Sequence, residues 1–280
     1  MTALHLFPRL APAFVAATLA APAFASFHLM QVEQIIGGVA GDPTKQAIQL
    51  RMRQAGQSFV SGTVIKVFDA QGLNPITVAT LTSNVPISTA GSRILIASPN
   101  FLSATSPATT ADFAMTALIP PSYLAAGRLT FEGGGQILWS VSWGGAAYTG
   151  PQTGSAFNDA DGNFGPAFAG PLPSASVQAL RFTGAFSALS TNNAANYALT
   201  PAAATFSNNA NASFTVVEPP PPACPADFDG SGVVDPDDLA DFIAGFFSSP
   251  PDPRTDVNAD GTIDPDDLAD FIATFFGPPC

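Results

Sequence analysis

One stretch of this chain is written twice. DFDGSGVVDPDDLADFIAGFF begins at Asp227 and DVNADGTIDPDDLADFIATFF begins at Asp256, and the two copies align without a gap and are identical from Asp235 to Ala244 and from Asp264 to Ala273. Each starts with oxygen-bearing side chains at alternate positions and has a glycine sixth, Gly232 and Gly261. An apolar residue follows at the eighth position, Val234 and Ile263. Glycine is the residue that turns a chain through the left-handed region without steric cost, so both copies predict a loop that doubles back at that point. Asp235 and Asp264 suit a helix N-cap, Pro236 and Pro265 the first helical position, and Asp238 and Asp267 the third. Leu239, Phe242, Ile243 and Phe246, and in the second copy Leu268, Phe271, Ile272 and Phe275, then recur at helical spacing as one apolar face. Gly277, followed by Pro278 and Pro279, ends the second helix.

The spacing of the oxygens carries a chemical meaning. A hard divalent cation such as Ca²⁺ takes six to eight oxygens, and a twelve-residue loop supplies them from positions 1, 3, 5, 7, 9 and 12. In the first copy these are Asp227, Asp229, Ser231, the Val233 carbonyl, Asp235 and Asp238. In the second they are Asp256, Asn258, Asp260, the Thr262 carbonyl, Asp264 and Asp267. Two Ca²⁺ ions are therefore expected, with the first loop the weaker because Ser231 stands where a carboxylate would serve better. A merely solvated acidic surface has no reason to keep a glycine and an apolar residue at fixed offsets.

Tandem loop–helix units, with Asp at the twelfth position and no helix ahead of the loop, resemble the dockerin module over residues 224–280. That resemblance implies a small all-α unit of two antiparallel helices holding two Ca²⁺, and a surface that docks onto a cohesin-like or other extracellular protein. In that family loop positions 10 and 11 carry recognition, which here are Pro236 with Asp237 and Pro265 with Asp266. These depart from the small hydroxylic pair common in the family, so a different partner, or a role as a calcium-stabilised cap, stays open.

Charge is partitioned along the chain. The net charge is −12, yet between Ser26 and Val217 the acids Glu33, Asp42, Asp69, Asp112, Glu132, Asp159 and Asp161 are matched by Lys45, Arg51, Arg53, Lys66, Arg93, Arg128 and Arg181. The whole excess lies beyond Cys224, where Arg254 is the one base among the Asp residues. A neutral body with an acidic tail argues against nucleic acid and anionic membrane as partners. The two cysteines, Cys224 and Cys280, bracket the acidic repeat. In an exported protein an even count reads as a disulfide, which on the chain-entropy model would stabilise the module by about 4 kcal/mol; two free thiols or links to other chains are the alternatives. Export itself is expected from residues 1–25, where one Arg, the apolar run LAPAFVAATLA and AFA before Ser26 follow the order of a signal peptide cleaved after Ala25. No later stretch is long and apolar enough for a membrane span, so the predicted location is secreted or at the cell surface.

Residues 26–217 read as a β-sandwich. Short apolar stretches (GTVIKVFDAQG, SRILIAS, FAMTALIP, GRLTFEGGGQILWSVSWGG, ALRFTGAF) alternate with turns in a chain holding 24 Gly and 27 Pro, and no long amphipathic helix appears. Ile65 and Val67 oppose Val64, Lys66 and Phe68. In QILWSVSW, Ile137, Trp139, Val141 and Trp143 oppose Leu138, Ser140 and Ser142, as in a half-buried strand. VEQIIGG as an opening strand, QAIQLRM as a second and the Asn/Pro-rich stretch NNAANYALTPAAATFSNNAN at the close resemble the lamin-tail domain, which implies an Ig-like extracellular fold used in binding or scaffolding. EPPPPA, residues 218–223, is a proline linker to the acidic module.

No catalytic residue is expected. The mature body holds one histidine, His28, and no cysteine, which leaves little for a nucleophilic triad. Glu33, Asp112 and Glu132 offer carboxylates for a hydrolase of polysaccharides, but no spacing pairs them. Trp139, Trp143, Tyr123 and Tyr148 suit either a sugar-stacking platform or a core, and core is the stronger reading because the two Trp share a face with Ile137 and Val141. Asp159, Asp161 and Asn163 read as a turn rather than a third cation loop, because the ninth and twelfth carboxylates are missing. The sequence thus predicts a non-catalytic exported protein that attaches or assembles through a Ca²⁺-binding tail, with a carbohydrate-binding body as the alternative.

Overall fold

The computed structural model describes residues 27–185, 187, 192–218, 224–258 and 260–277. The predicted signal peptide, Pro219 to Ala223 of the linker, and Cys280 lie outside the described residues. The chain divides into two compact units, one ending at Val216 and the other beginning at Val217.

The first unit is β-rich. Its strands in chain order are β1 (Met30–Ile36), β2 (Ala47–Met52), β3 (Val64–Phe68), β4 (Ile76–Thr80), β5 (Arg93–Ala97), β6 (Thr105–Ser106) and β7 (Phe113–Ala114). There follow β8 (Gly127–Gly133), β9 (Gln136–Trp143), β10 (Leu180–Phe182), β11 (Tyr197–Leu199), β12 (Thr205–Ser207) and β13 (Ser213–Val216). Its α-helices, α1 (Pro121–Leu124) and α2 (Asn193–Asn196), are single turns. The strands make three sheets: a six-stranded one in the order β11-β10-β1-β2-β5-β7, a four-stranded one in the order β4-β3-β8-β9, and a three-stranded one, β12-β13-β6. Every pairing is antiparallel except β5 with β7.

Period-2 alternation explains how the sheets meet. On β2 and β5, Ile48, Leu50, Ile94 and Ile96 leave one face and join Ile65, Val67, Leu129, Phe131, Trp139 and Val141 of the four-stranded sheet in one buried cluster. Leu95 and Ala97 leave the opposite face, together with Ala47, and pack with Phe206, Phe214 and Val216 of the three-stranded sheet. Two sheets therefore share a sandwich-like core, and the smallest sheet covers part of the outer face of the largest. The glycine pair Gly134 and Gly135, both at positive φ, makes the tight turn between β8 and β9.

The alternation expected of β3 is present, with Ile65 and Val67 buried between half-buried neighbours. That of β9 is not: Leu138, Trp139, Ser140, Val141, Ser142 and Trp143 are all buried. Residues 144–170 fold over the outer face. The Phe168 N–H donates to the Ser142 carbonyl at 2.9 Å, Asn158 Nδ2 donates to the Leu138 carbonyl at 2.7 Å, and Arg128 bridges Ser140 Oγ at 2.8 Å and the Thr153 carbonyl at 2.6 Å. The serine hydroxyls are met by protein instead of water, Ser140 Oγ by Arg128 and Ser142 Oγ by Asn193 Nδ2 at 3.2 Å. FAMTALIP yields only the two residues of β7, and ALRFTGAF only the three of β10.

The second unit holds two helices of one length, α3 (Pro236–Phe246) and α4 (Pro265–Phe275), a 3₁₀ turn at Pro253–Thr255, and no strand among the described residues. Its core is aromatic. Phe242 and Phe271 stack face to face, ring centres 3.9 Å apart and planes 5° from parallel, and both are fully buried. Phe228 meets both edge-on, and Phe246 and Phe275 stack outward from them. Ile243 and Ile272, expected on the inner face, are 42% and 41% exposed instead. A pair of three-turn helices meets along one narrow seam, which the stacked phenylalanines fill, so the edge of the predicted apolar face stays in solvent. Val234, the apolar residue at the eighth position of the first loop, is likewise exposed, whereas its counterpart Ile263 is half-buried.

No helix among the described residues is long and apolar enough to cross a membrane.

Candidate metal centre

The two acidic loops close in the same way. Gly232 and Gly261 take φ of 86° and 89°, the left-handed conformation that the sixth position requires. Their peptide N–H groups donate to Asp227 Oδ2 at 2.9 Å and to Asp256 Oδ2 at 3.0 Å. The third position then holds the fifth: Asp229 Oδ1 accepts from the Ser231 N–H at 2.8 Å, and Asn258 Oδ1 from the Asp260 N–H at 2.9 Å.

The twelfth-position carboxylates do two jobs at once. Asp238 Oδ2 accepts from the Asp235 N–H at 2.9 Å, and Asp267 Oδ2 from the Asp264 N–H at 2.9 Å, completing a capping box at the start of each helix. Their other oxygens reach back into the loop, Asp238 Oδ1 accepting from the Asp229 N–H at 3.0 Å and Asp267 Oδ1 from the Val257 N–H at 2.9 Å. Both side chains are fully buried. Burial pushes the Asp238 carboxyl up, but hydrogen bonds from the peptide N–H groups of Asp229, Asp235 and Phe228 outweigh it and hold its pKa below the usual carboxylate value. The Thr262 hydroxyl and peptide N–H do the same for Asp260.

One oxygen in each loop is left over. Asp227 Oδ1 and Asp256 Oδ1 are buried and have no hydrogen-bond partner among the described residues, although the sister oxygen of each is bonded to the loop glycine. An anionic oxygen removed from water without a donor is costly, and a cation at that point would remove the cost. In the first loop, ligand oxygens of Asp227, Asp229 and Asp238 all lie within 4.8 Å of one another. Oxygens sharing one ion at Ca²⁺-type bond lengths of about 2.3–2.6 Å can be no farther apart than about 5 Å, so this trio fits a hard cation. Asp235 and Asp264, the ninth-position residues, spend one oxygen each on the helix N-terminus, accepting from Asp237 at 2.8 Å and Asp266 at 2.9 Å. Ser231 Oγ turns to the Val233 carbonyl at 3.1 Å, while its counterpart Asp260 accepts from Thr262 Oγ1 at 2.6 Å.

The residues singled out for recognition, Pro236, Asp237, Pro265 and Asp266, are all exposed on the first helical turns. Cys224 is disulfide-bonded, and the Cys280 half of the expected pair lies outside the described residues.

The candidates in the β-rich unit are occupied otherwise. Trp139 and Trp143 are fully buried, their indole N–H groups donating to Tyr197 Oη at 2.8 Å and the Tyr123 carbonyl at 2.9 Å, so no sugar-stacking face exists on that strand. Tyr148 is buried as well. Glu33 is held by Arg93 at 2.7 Å and Arg51 at 3.4 Å, Glu132 by Lys66 at 2.6 Å. Asp112 accepts from the Leu95 and Asn209 N–H groups, both at 2.8 Å. His28 stacks between Phe27 and Phe157. Asp159, Asp161 and Asn163 form a chain of side-chain-capped turns, with Asp159 fully buried near Arg53.

No family model matches the chain, and neither does any curated protein or solved structure.

Proposed function

We propose that this is an exported, non-catalytic protein in which a β-sandwich body is carried beside a dockerin-like module that binds two Ca²⁺ ions and attaches the protein to a cohesin-like or other extracellular partner. The observation that carries the reading is the pair of orphaned carboxylate oxygens, Asp227 Oδ1 and Asp256 Oδ1, at the same position of two loops. Asp227, Asp229, Ser231, Asp235, Asp238 and the Val233 carbonyl would hold one ion; Asp256, Asn258, Asp260, Asp264, Asp267 and the Thr262 carbonyl the other. Bound Ca²⁺ supplies charge neutralisation, not chemistry on a substrate, which suits a unit whose task is to hold a shape. Exposed Pro236, Asp237, Pro265 and Asp266 are where a partner would read that shape.

Calorimetric titration of the chelator-stripped protein with CaCl₂ tests this. Two equivalents taken up, with a gain of helical circular dichroism, are expected. A protein whose helices and heat signal ignore calcium would sink the proposal.

A further inference from the structure

The amino terminus expected of the exported protein carries a set of metal donors that the function above does not use. Cleavage after Ala25 makes Ser26 the first residue, so the mature chain opens Ser26-Phe27-His28. A free α-amine with a histidine two residues on brings four nitrogens together: the Ser26 amine, the Phe27 and His28 peptide nitrogens, and His28 Nδ1. Adjacent donors are linked by short stretches of covalent backbone, so each pair closes a small chelate ring on one cation. The peptide groups between them are planar, which holds the four nitrogens near one plane.

The mature chain offers no second set of this kind. The sequence holds two histidines, and the other, His5, lies in the segment that cleavage removes. Of the two cysteines, Cys224 is disulfide-bonded. The clustered acids of the first loop, Asp227, Asp229 and Asp238, present oxygens, which suit hard cations instead.

The fold holds the segment where a chelate can form. Phe27 and His28 precede Met30, the first residue of β1, so neither belongs to the β1–β2 ladder. The chain is pinned directly after them. Asn158 Nδ2 donates to the His28 carbonyl at 2.6 Å, and the Leu29 N–H donates to Gln57 Oε1 at 2.8 Å. Both anchors use atoms that a four-nitrogen chelate leaves alone. Phe27 and His28 are half-buried, and Phe157 beside them is 46% exposed, so the histidine stands at the surface. The Phe27 ring lies 4.6 Å from the imidazole at 27° to its plane, and the Phe157 ring 4.8 Å from it at 32°. Neither ring carries a donor atom that could serve as an axial ligand. A planar nitrogen set with such neighbours suits a cation that takes square-planar coordination, Cu²⁺ first and Ni²⁺ next. It suits poorly the tetrahedral preference of Zn²⁺ and the octahedral oxygen preference of Mg²⁺.

We propose that the mature amino terminus binds one Cu²⁺ ion through the Ser26 amine, the Phe27 and His28 peptide nitrogens and His28 Nδ1. The inference rests on the export proposed above, with cleavage after Ala25, and not on the calcium loops. As the ion binds, the N–H bonds of Phe27 and His28 break and both protons pass to solvent, together with the one that an α-ammonium carries. The copper stays divalent. Two amide anions then balance its charge, so binding adds no net charge to a half-buried place.

The test uses the secreted full-length protein, its first residue established by N-terminal sequencing, saturated with CaCl₂ and then titrated with CuCl₂. One equivalent should be taken up, with the visible absorption of a square-planar four-nitrogen complex and nitrogen hyperfine structure in its EPR spectrum. His28→Gln should abolish both signals. A glycine inserted between Ser26 and Phe27 moves the histidine from third to fourth while keeping every described residue, and should weaken copper by about tenfold or more. A first residue other than Ser26 would overturn the proposal together with the predicted cleavage site. With Ser26 first, an absence of copper uptake, or the same spectrum from His28→Gln or at parental affinity from the insertion, would overturn the copper site alone and leave export standing.

Discussion

Asp238 joins the acidic loop to its helix, so replacing it by Asn separates its part in the loop from its part as a helix cap. The change is isosteric and uncharged. At present both oxygens accept, from the Asp229 N–H at 3.0 Å and the Asp235 N–H at 2.9 Å. Asn keeps one acceptor but presents an NH₂ where the other oxygen was, so one buried peptide N–H meets another donor. Losing a hydrogen bond to a charged group costs about 1.5–3 kcal/mol, and stranding the N–H adds about 1 kcal/mol or more. A module this small draws no more than about 3–5 kcal/mol from its core, so in chelator the Asp238→Asn helices should be largely unfolded. Saturating calcium would return part of the loss through the second loop, since a ligand at a hundred times its Kd contributes about 2.7 kcal/mol.

The assay is favoured by how chromophores are distributed. Every Trp and Tyr lies in the β-rich unit, whose helices are single turns, whereas α3 and α4 carry the longer helices. Tryptophan fluorescence therefore follows the first unit and helical circular dichroism the second. In Asp238→Asn the helical signal should fall in chelator and recover in part with calcium, with fluorescence unmoved throughout. Asp237→Asn, one residue away and exposed, is the control and should change little. If Asp238→Asn kept parental helicity in chelator and bound calcium with unchanged stoichiometry and affinity, the coupling of loop to helix through this carboxylate would be wrong.

Gly232→Ala and Gly261→Ala add a methyl that meets nothing within 4 Å, so their cost is the left-handed backbone alone, about 1–2 kcal/mol each, read as lower calcium affinity and an earlier helical melt. Trp143→Ala empties a fully buried site and should cost the β-rich unit about 3–5 kcal/mol, seen as an earlier thermal transition by Trp139 fluorescence with helical melting unaltered. Non-reducing peptide mapping should recover Cys224 joined to Cys280, whereas two alkylatable thiols in the native protein would refute that pairing. Asp238 titrates below its ordinary value when folded, so its contribution is complete above about pH 4 and is lost as the pH falls through the folded value. In chelator, acidification should therefore melt the helices of the parent protein, followed by circular dichroism.

What could be read from the sequence and what could not divide along the range of the contacts. The loops were legible because each oxygen sits at a fixed offset from its glycine, and Asp238 and Asp267 cap the helix that begins beside them. The β3, β8 and β9 strands were legible because alternation and the Gly134–Gly135 turn are local. The exposure of Ile243 was not, because a helical stripe says which residues share a face but not how wide a seam the partner helix covers. Nor were the buried amides of β1: in MQVEQII alternation breaks at Glu33 and Gln34, where the β1–β2 register shifts, and the groups that meet its polar side come from far along the chain, Thr205 onto Gln34 and Arg93 onto Glu33. The second burial face of β9 was missed for the same reason, because residues 144–170 cover it with little regular structure of their own.

The two units handle charge in opposite ways, and that difference carries a last prediction. In the β-rich unit acids find bases: Glu33 with Arg93, Glu132 with Lys66, Asp42 with Lys45. Beyond Cys224 the one base, Arg254, lies over the Phe228 ring and is bound to Asp252 at 2.7 Å. The remaining carboxylates have no cation within their own unit to turn to, and folding brings them closer together. Their balance has to come from solution. At an ionic strength near 1 M the screening length shrinks to about 3 Å, short enough to mute repulsion between neighbouring loops. In chelator, raising NaCl should therefore raise the helical melting temperature. With calcium bound, where the ions have already neutralised the loops, the same salt should do much less. Helices in chelator that melt at one temperature across that range of salt would mean that repulsion among these carboxylates is not what calcium relieves.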